Sequence, residues 1–185
     1  MTLTIDEIIG IAFHGKSSLI HRPALAHLCR MAQGAPDGTG VEIGVYQGSS
    51  LIAWALAREG RGEAIGIDDW SYPEPPNLKE KTEHYLNIAG VKAHLLSMTS
   101  EEAADTVTGP LAFVHIDGNH TYKYVARDIE LWAPKIIKGG VIAFHDYGRN
   151  GRSDIQVKQA VDEWQARDPW FGLGEVLTTI GFRKP

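Results

Sequence analysis

The chain has almost no cysteine. Its single one, Cys29, cannot close an internal disulfide, which excludes a cross-linked secreted scaffold and suits a reducing compartment. Basic charge is also short: 18 Lys and Arg against 23 Asp and Glu leave a formal net charge of −5. The electrostatic attraction behind nucleic-acid or anionic-membrane binding is therefore missing, and a small molecule is the expected partner. No apolar run approaches the roughly 18 residues of a membrane span. The first residues carry Asp6 and Glu7 and no basic segment, unlike a signal peptide, so the expected location is cytoplasmic. Repeats, low-complexity tracts and clear linkers are lacking as well. With 185 residues, 43% of them hydrophobic, the expectation is a single domain over 1–185 around one sizeable core.

What is present is alternation. Short β-rich apolar runs alternate with longer amphipathic ones, the pattern of a parallel sheet with helices on both faces. Strands are predicted near 39–45, 63–68, 91–96, 111–116 and 139–145, and helices near 49–59, 77–89, 99–106, 121–132 and 153–166. Pro134 and Gly139-Gly140 punctuate the approach to the fifth strand, and 172–178 with 180–183 read as a closing hairpin. The fold class is thus α/β, a Rossmann-like, seven-stranded, mostly parallel sheet with helices on both faces and a C-terminal antiparallel hairpin. Residues 1–35 add two helices, open to three roles: a cap over the ligand cleft, a dimer surface, or plain packing.

Three regions at strand ends carry chemistry. Val41-Glu42-Ile43-Gly44-Val45-Tyr46-Gln47-Gly48-Ser49-Ser50 is an apolar strand, a glycine turn and a helix start, which brings backbone N–H groups to polar or anionic atoms of a nucleotide cofactor. Ala64-Ile65-Gly66-Ile67-Asp68-Asp69-Trp70 ends in Asp68, whose carboxylate matches the two adjacent hydroxyls of a ribose. Asp69 and Trp70 are weaker candidates for the adenosine side, and Ser97 and Ser100 for the adenine; turn capping is the competing role for the acids and serines.

The third region is Phe113-Val114-His115-Ile116-Asp117-Gly118-Asn119-His120 together with Gly139-Gly140-Val141-Ile142-Ala143-Phe144-His145-Asp146. Successive parallel strands lie side by side, so Asp117 and Asp146 are expected to converge at the carboxyl edge and share one divalent metal. Oxygen-only sets favour magnesium or calcium, whereas an imidazole such as His145 admits manganese, iron or zinc. His120, three residues after Asp117, reads either as a general base, its unperturbed pKa of about 6.5 being suited to that task, or as a hydrogen-bonded helix entrance. Tyr122, Tyr124, Tyr147 and Trp70 are candidate aromatic walls for a substrate, with packing as the alternative. Asp128 is expected to be a solvated or paired charge, and Arg149 and Arg152 hint at an acidic acceptor.

Over about residues 39–184 the chain resembles the class I S-adenosylmethionine-dependent methyltransferases. Within that class it is similar to a small-molecule branch that includes macrocin O-methyltransferase-like and cephalosporin hydroxylase-like proteins. The likeness is carried by Glu42-Ile43-Gly44-Val45-Tyr46-Gln47-Gly48-Ser49-Ser50, Ile116-Asp117-Gly118-Asn119-His120-Thr121-Tyr122 and Gly139-Gly140-Val141-Ile142-Ala143-Phe144-His145-Asp146-Tyr147. It departs where Tyr46 replaces a glycine usual in the broad class, and where His145 replaces the first of two adjacent acids. The resemblance implies S-adenosylmethionine as cofactor, bound by Glu42, Gly44, Tyr46, Gly48, Ser49, Asp68, Asp69, Ser97 and Asp117. It implies a magnesium or manganese ion on Asp117, His145 and Asp146, and O-methylation of a small hydroxylated molecule. His120, with His145 as second choice, would take the hydroxyl proton, and a homodimer is the family's usual assembly.

Three other readings stay open. A non-catalytic S-adenosylmethionine-binding or sensor protein would keep the fold without the transfer. Residues 10–17 satisfy the G-x-x-x-x-G-K-[ST] phosphate-loop pattern and, with Asp117 as magnesium ligand, would make a P-loop nucleotide hydrolase or kinase. His115 and Asp117 with His145 or His120 would make a two-histidine, one-carboxylate iron site.

Overall fold

The computed structural model describes residues 2–15, 18–149, 152 and 154–185. Two helices, α1 (Ile5–Phe13) and α2 (Arg22–Gly34), precede β1 (Thr39–Ile43). Then follow α3 (Ser49–Ala57), β2 (Ala64–Asp68), α4 (Leu78–Ile88), β3 (His94–Ser97), α5 (Ser100–Thr106), β4 (Leu111–Ile116), α6 (Tyr122–Trp132) and β5 (Ile136–Phe144). The chain ends with α7 (Val157–Arg167), β6 (Phe171–Val176) and β7 (Thr179–Arg183). One seven-stranded sheet results, in the order β3-β2-β1-β4-β5-β7-β6. The first five strands are parallel, and β7 slots between β5 and β6, antiparallel to both. This is the expected mostly parallel sheet with its C-terminal hairpin.

Alternation along the strands sorts side chains to two cores. Val41, Ile43, Val114, Ile116, Ile142 and Phe144 pack with α5, α6 and α7. Phe113, Val141 and Ala143 turn the other way, to a core built with α1, α2 and α3 from Ile8, Leu25, Leu28, Leu51, Ile52 and Trp54. Burial of each such side chain contributes about 1.5–3 kcal/mol. Residues 1–35, where described, thus form part of one helical layer.

At the amino edge of the sheet Arg58, 3% exposed, donates to the carbonyls of Ala32, Pro36, Gly38 and Arg61, tying α2 and the following loop to α3. The phosphate-loop pattern at 10–17 does not have its required setting. Thr4 and Glu7 form a capping box that starts α1, Gly10 to Phe13 complete that helix, and no strand precedes it among the described residues. Lys16 and Ser17 lie outside the described residues.

Candidate active site

The parallel register brings the strand ends level. Ile43 lies opposite Ile67 and Ile116, and Ile116 opposite Phe144. One residue further, the N–H groups of Gly44, Asp117 and His145 donate to Ile67, Ile43 and Ile116, so the ladder carries those three residues to the carboxyl edge. Open α/β sheets bind ligands at this edge. Tyr46, Trp70 and Asp146, one in each of the turns after β1, β2 and β5, have φ of 51°, 57° and 57°. Such left-handed backbone at a non-glycine residue costs about 1–3 kcal/mol and concentrates at functional sites.

The turn after β1 is held from below. Asp68 Oδ2 accepts the N–H groups of Val45 and Tyr46 at 2.8 and 2.9 Å, and Oδ1 accepts that of Trp70 at 2.8 Å. Gly44 has no room for a side chain, because a Cβ there would lie 2.2 Å from the carbonyl oxygen of Asp117. The glycine therefore serves the approach of β1 to the Asp117 turn as much as any ligand. Gly48, at φ 76°, caps α3 without a side-chain hydrogen bond, and the Ser49 hydroxyl is buried with no partner. Tyr46 carbonyl accepts from Thr82, and its ring meets Tyr72 edge to face at 5.5 Å.

Glu42 lies elsewhere than at an open rim. It is fully buried: Oε1 accepts from the Ser50 hydroxyl, while Oε2 accepts from Trp54 Nε1 and lies 3.0 Å from His115 Nδ1. The carboxylate expected to bind the cofactor is thus committed to α3 and β4. The same contact turns His115 away from the iron site considered above, since its ring is fully enclosed beside Glu42.

The acids and imidazoles after β4 and β5 do converge. Asp117, His120 and Asp146 bring ligand-capable atoms within 4.8 Å of one another. His120 Nε2 lies 3.1 Å from Asp146 Oδ2 and 3.6 Å from Asp117 Oδ1. His145 Nδ1 lies 3.0 Å from Asp117 Oδ1, and Arg149 Nε lies 3.1 Å from Asp146 Oδ1. The expected imidazole ligand was His145. Its Nδ1 lies 3.0 Å from Asp117 Oδ1 and 3.6 Å from Asp146 Oδ2, with Nε2 turned to Thr178, and His120 gathers with the same two acids.

Burial opposes ionisation of Asp117, yet the His145 charge, the nearby His120 ring and the His145 hydrogen bond outweigh it and hold the carboxyl well below the usual range. The Asp117 carboxylate, 3.6 Å away, raises His120 despite its partial burial. His145 is raised too: burial works against its charge, and the Asp117 and Asp146 carboxylates prevail.

Other candidates have structural partners. Ser97 accepts from Trp70 Nε1, and the exposed Asp69 accepts the N–H of Ser71 in a local turn. Ser100 donates to Asp128 and accepts from Trp132 Nε1. Asp128 is not a solvated charge; it is 5% exposed, and burial raises its pKa to about 6 against the opposing Ser100 hydrogen bond. Tyr122 and Tyr147 donate to Glu163 and Asp162, fixing α7, whereas Tyr124 stands exposed. Arg152 pairs with Asp154 in an exposed contact. Sequence reasoning missed Thr178, whose hydroxyl lies 3.1 Å from His145 Nε2. Its signal was the hairpin turn, which reaches His145 only if β7, and not β6, pairs with β5.

A family model described as a methyltransferase domain matches residues 41–147. The uncharacterized protein R132 of Acanthamoeba polyphaga mimivirus is 31% identical over 163 residues, which cover 85% of this chain and 70% of that protein. Among solved structures, the O-methyltransferase from Bacillus cereus in complex with SAH matches with a TM-score of 0.68 at 15% identity, over 97% of this chain and 90% of that one. The SAH-bound methyltransferase PaMTH1 of Podospora anserina matches with a TM-score of 0.69 at 16% identity, over 98% and 87%. These two structural likenesses are likenesses of fold.

Proposed function

Because the chain belongs to the methyltransferase-domain family, we propose that it transfers the methyl group of S-adenosylmethionine to a hydroxyl of a small molecule. The observation that carries this reading is the meeting of Asp117, His120 and Asp146 at the carboxyl edge, with the Asp117 backbone packed against Gly44 of the glycine turn. The residues fit the cofactor. The first turn of α3 presents N–H groups and an unpartnered Ser49 hydroxyl, and Asp68, after three N–H bonds, keeps lone pairs for a ribose hydroxyl.

When bound, S-adenosylmethionine supplies an electrophilic methyl group on a sulfonium. The chain's part is to hold the acceptor oxygen in line with that methyl and to take its proton. His120, with a side chain 35% exposed, is the imidazole at the rim; its buried Nε2 faces the two carboxylates, so Nδ1 is the nitrogen left to take the proton. Asp117 and Asp146 orient that ring and favour the cation it becomes. Since only the neutral ring accepts a proton, turnover should fall as pH drops through a pKa above the ordinary 6.5, the direction in which Asp117 moves His120. A pH–rate profile reads this directly.

The same three residues would hold a divalent metal, which would lower the pKa of a bound hydroxyl; one nitrogen with carboxylate oxygens suits manganese ahead of magnesium. His120 cannot at once bind metal and accept the proton, so chelation separates two forms of the site: turnover that survives EDTA leaves His120 as base, and turnover lost to EDTA and restored by manganese makes it a ligand.

The primary test is calorimetric titration with S-adenosylmethionine and, separately, ATP, followed by transfer assays on phenols, sugars and polyols. S-adenosylmethionine binding with transfer to one acceptor supports the reading. Binding of ATP alone overturns it, and cofactor binding with no transfer across the panel favours a sensor.

A further inference from the structure

We propose that Thr178, at the tip of the β6–β7 hairpin, is a positioning residue that keeps the His145 imidazole aimed at Asp117. The ring is held at both ends: Nδ1 lies 3.0 Å from Asp117 Oδ1 and Nε2 lies 3.1 Å from Thr178 Oγ1. Its side chain is 4% exposed, so water is a poor substitute for either partner. A ring flip would place carbon-bound hydrogens against both oxygens. A hydroxyl donates as well as accepts, so Thr178 suits either tautomer of the ring.

The hydroxyl is delivered to a fixed place. Ile180 pairs with Phe144 in the β5–β7 ladder, which sets the hairpin tip beside His145. Tyr147 N–H donates to the Thr178 carbonyl at 3.0 Å. Gly148 admits the tip, because a Cβ there would come within 2.3 Å of the Leu177 carbonyl oxygen. The last two strands therefore reach the site through one side chain, and Thr178 acts on Asp117 through His145 without touching the reacting atoms. The inference rests on the proposed function only for the role given to Asp117.

The test uses the full chain labelled with 15N-histidine. Long-range 1H–15N spectra report which ring nitrogen of His145 carries hydrogen. At alkaline pH, with the ring neutral, wild type should show a single form with hydrogen on Nδ1. Thr178→Val, which keeps the shape and removes the hydroxyl, should give averaged nitrogen shifts, and Thr178→Ser should restore the wild-type pattern. In parallel, manganese affinity should fall about tenfold in Thr178→Val, as for loss of other groups that orient ligands, and stay near wild type in Thr178→Ser. S-adenosylhomocysteine affinity should be unchanged in both. Wild-type nitrogen shifts in Thr178→Val, or equal disturbance in the Ser and Val variants, overturn the proposal. Should Thr178→Val fail to fold, Thr178→Ala is read in the same way. If wild type binds no manganese, the metal reading falls while the nitrogen shifts still decide the role of Thr178.

Discussion

Two acid–imidazole clusters sit on one face of the sheet, two residues apart along a single strand path. The inner one joins Glu42 and His115; the outer one joins Asp117 to His120, His145 and Asp146. The inner carboxylate is fully buried, with Ser50 on one oxygen and Trp54 and His115 on the other. In the outer cluster Asp117 and His120 are 21% and 35% exposed, and His120 Nε2 and Asp146 Oδ1 sit at ion-pair range without hydrogen-bond geometry. The residue types match, so type does not separate framework from chemistry. His115 Nε2 in the inner cluster also lacks a partner, so what separates the two is access and the saturation of the carboxylate itself: one with its acceptor sites taken locks elements together, and one with an unsatisfied oxygen beside exposed groups can exchange partners with a ligand.

The largest expected effect is on the inner cluster. Glu42→Ala strands His115, Trp54 Nε1 and Ser50 in the interior and should cost about 3–5 kcal/mol in urea unfolding, with Glu42→Gln recovering part of it. A loss under about 1 kcal/mol would dissolve the contrast.

Asp128 sharpens it, as an acid buried beside a hydroxyl with no imidazole: its pKa rises to about 6, whereas that of Asp117 falls. A raised folded-state value means the native state holds the proton more tightly. Its contribution is then fully present below about pH 4 and is lost as pH rises through about 6. Asp128→Asn should remove that decline and add up to about 3 kcal/mol at pH 7, measured by unfolding across pH. An unchanged pH profile would show that the acid ionises freely.

The smallest stability effect is expected in the outer cluster, at the buried Asp146. Asp146→Asn should shift stability by about 1 kcal/mol or less, in either direction, because functional groups are seldom optimised for stability. It should abolish manganese binding and leave cofactor affinity intact, whereas Asp68→Ala, which removes the support of the turn after β1, should weaken cofactor binding. Equal cofactor loss in the two variants would merge what the geometry separates.

The sheet was legible because its signals are local. Apolar runs, helix caps and turn residues each act within a few positions, and they yield the seven strands and their helices. Boundaries moved where a glycine or a backbone bond intervened. β1 stops at Ile43 because Gly44 turns at φ 83°, and Val91 closes α4 by bonding to Leu86, which delays β3 to His94. β5 begins at Ile136 and runs through Gly139 and Gly140, which read as punctuation; Gly140 is in the strand because the Ile136 side chain takes the space of its Cβ.

The convergence of Asp117 with Asp146 was legible too, from the side-by-side rule for successive parallel strands. The second partner of His145 was not, since its Nε2 meets Thr178, 33 residues further on. The commitment of Glu42 depends likewise on His115, 73 residues away. Pattern gives a residue its face, and the partner across that face comes from another element.

The placement of β7 inside the sheet also bears on how the chain is made. During synthesis the exposed side of β5 emerges from the ribosome with no partner, and the segment that covers it follows roughly 40 residues later, about 2–8 seconds at ordinary elongation rates. For that interval a nascent chain carries an open, apolar strand edge, Val141 to Phe144, of the kind that pairs with neighbours on crowded polysomes.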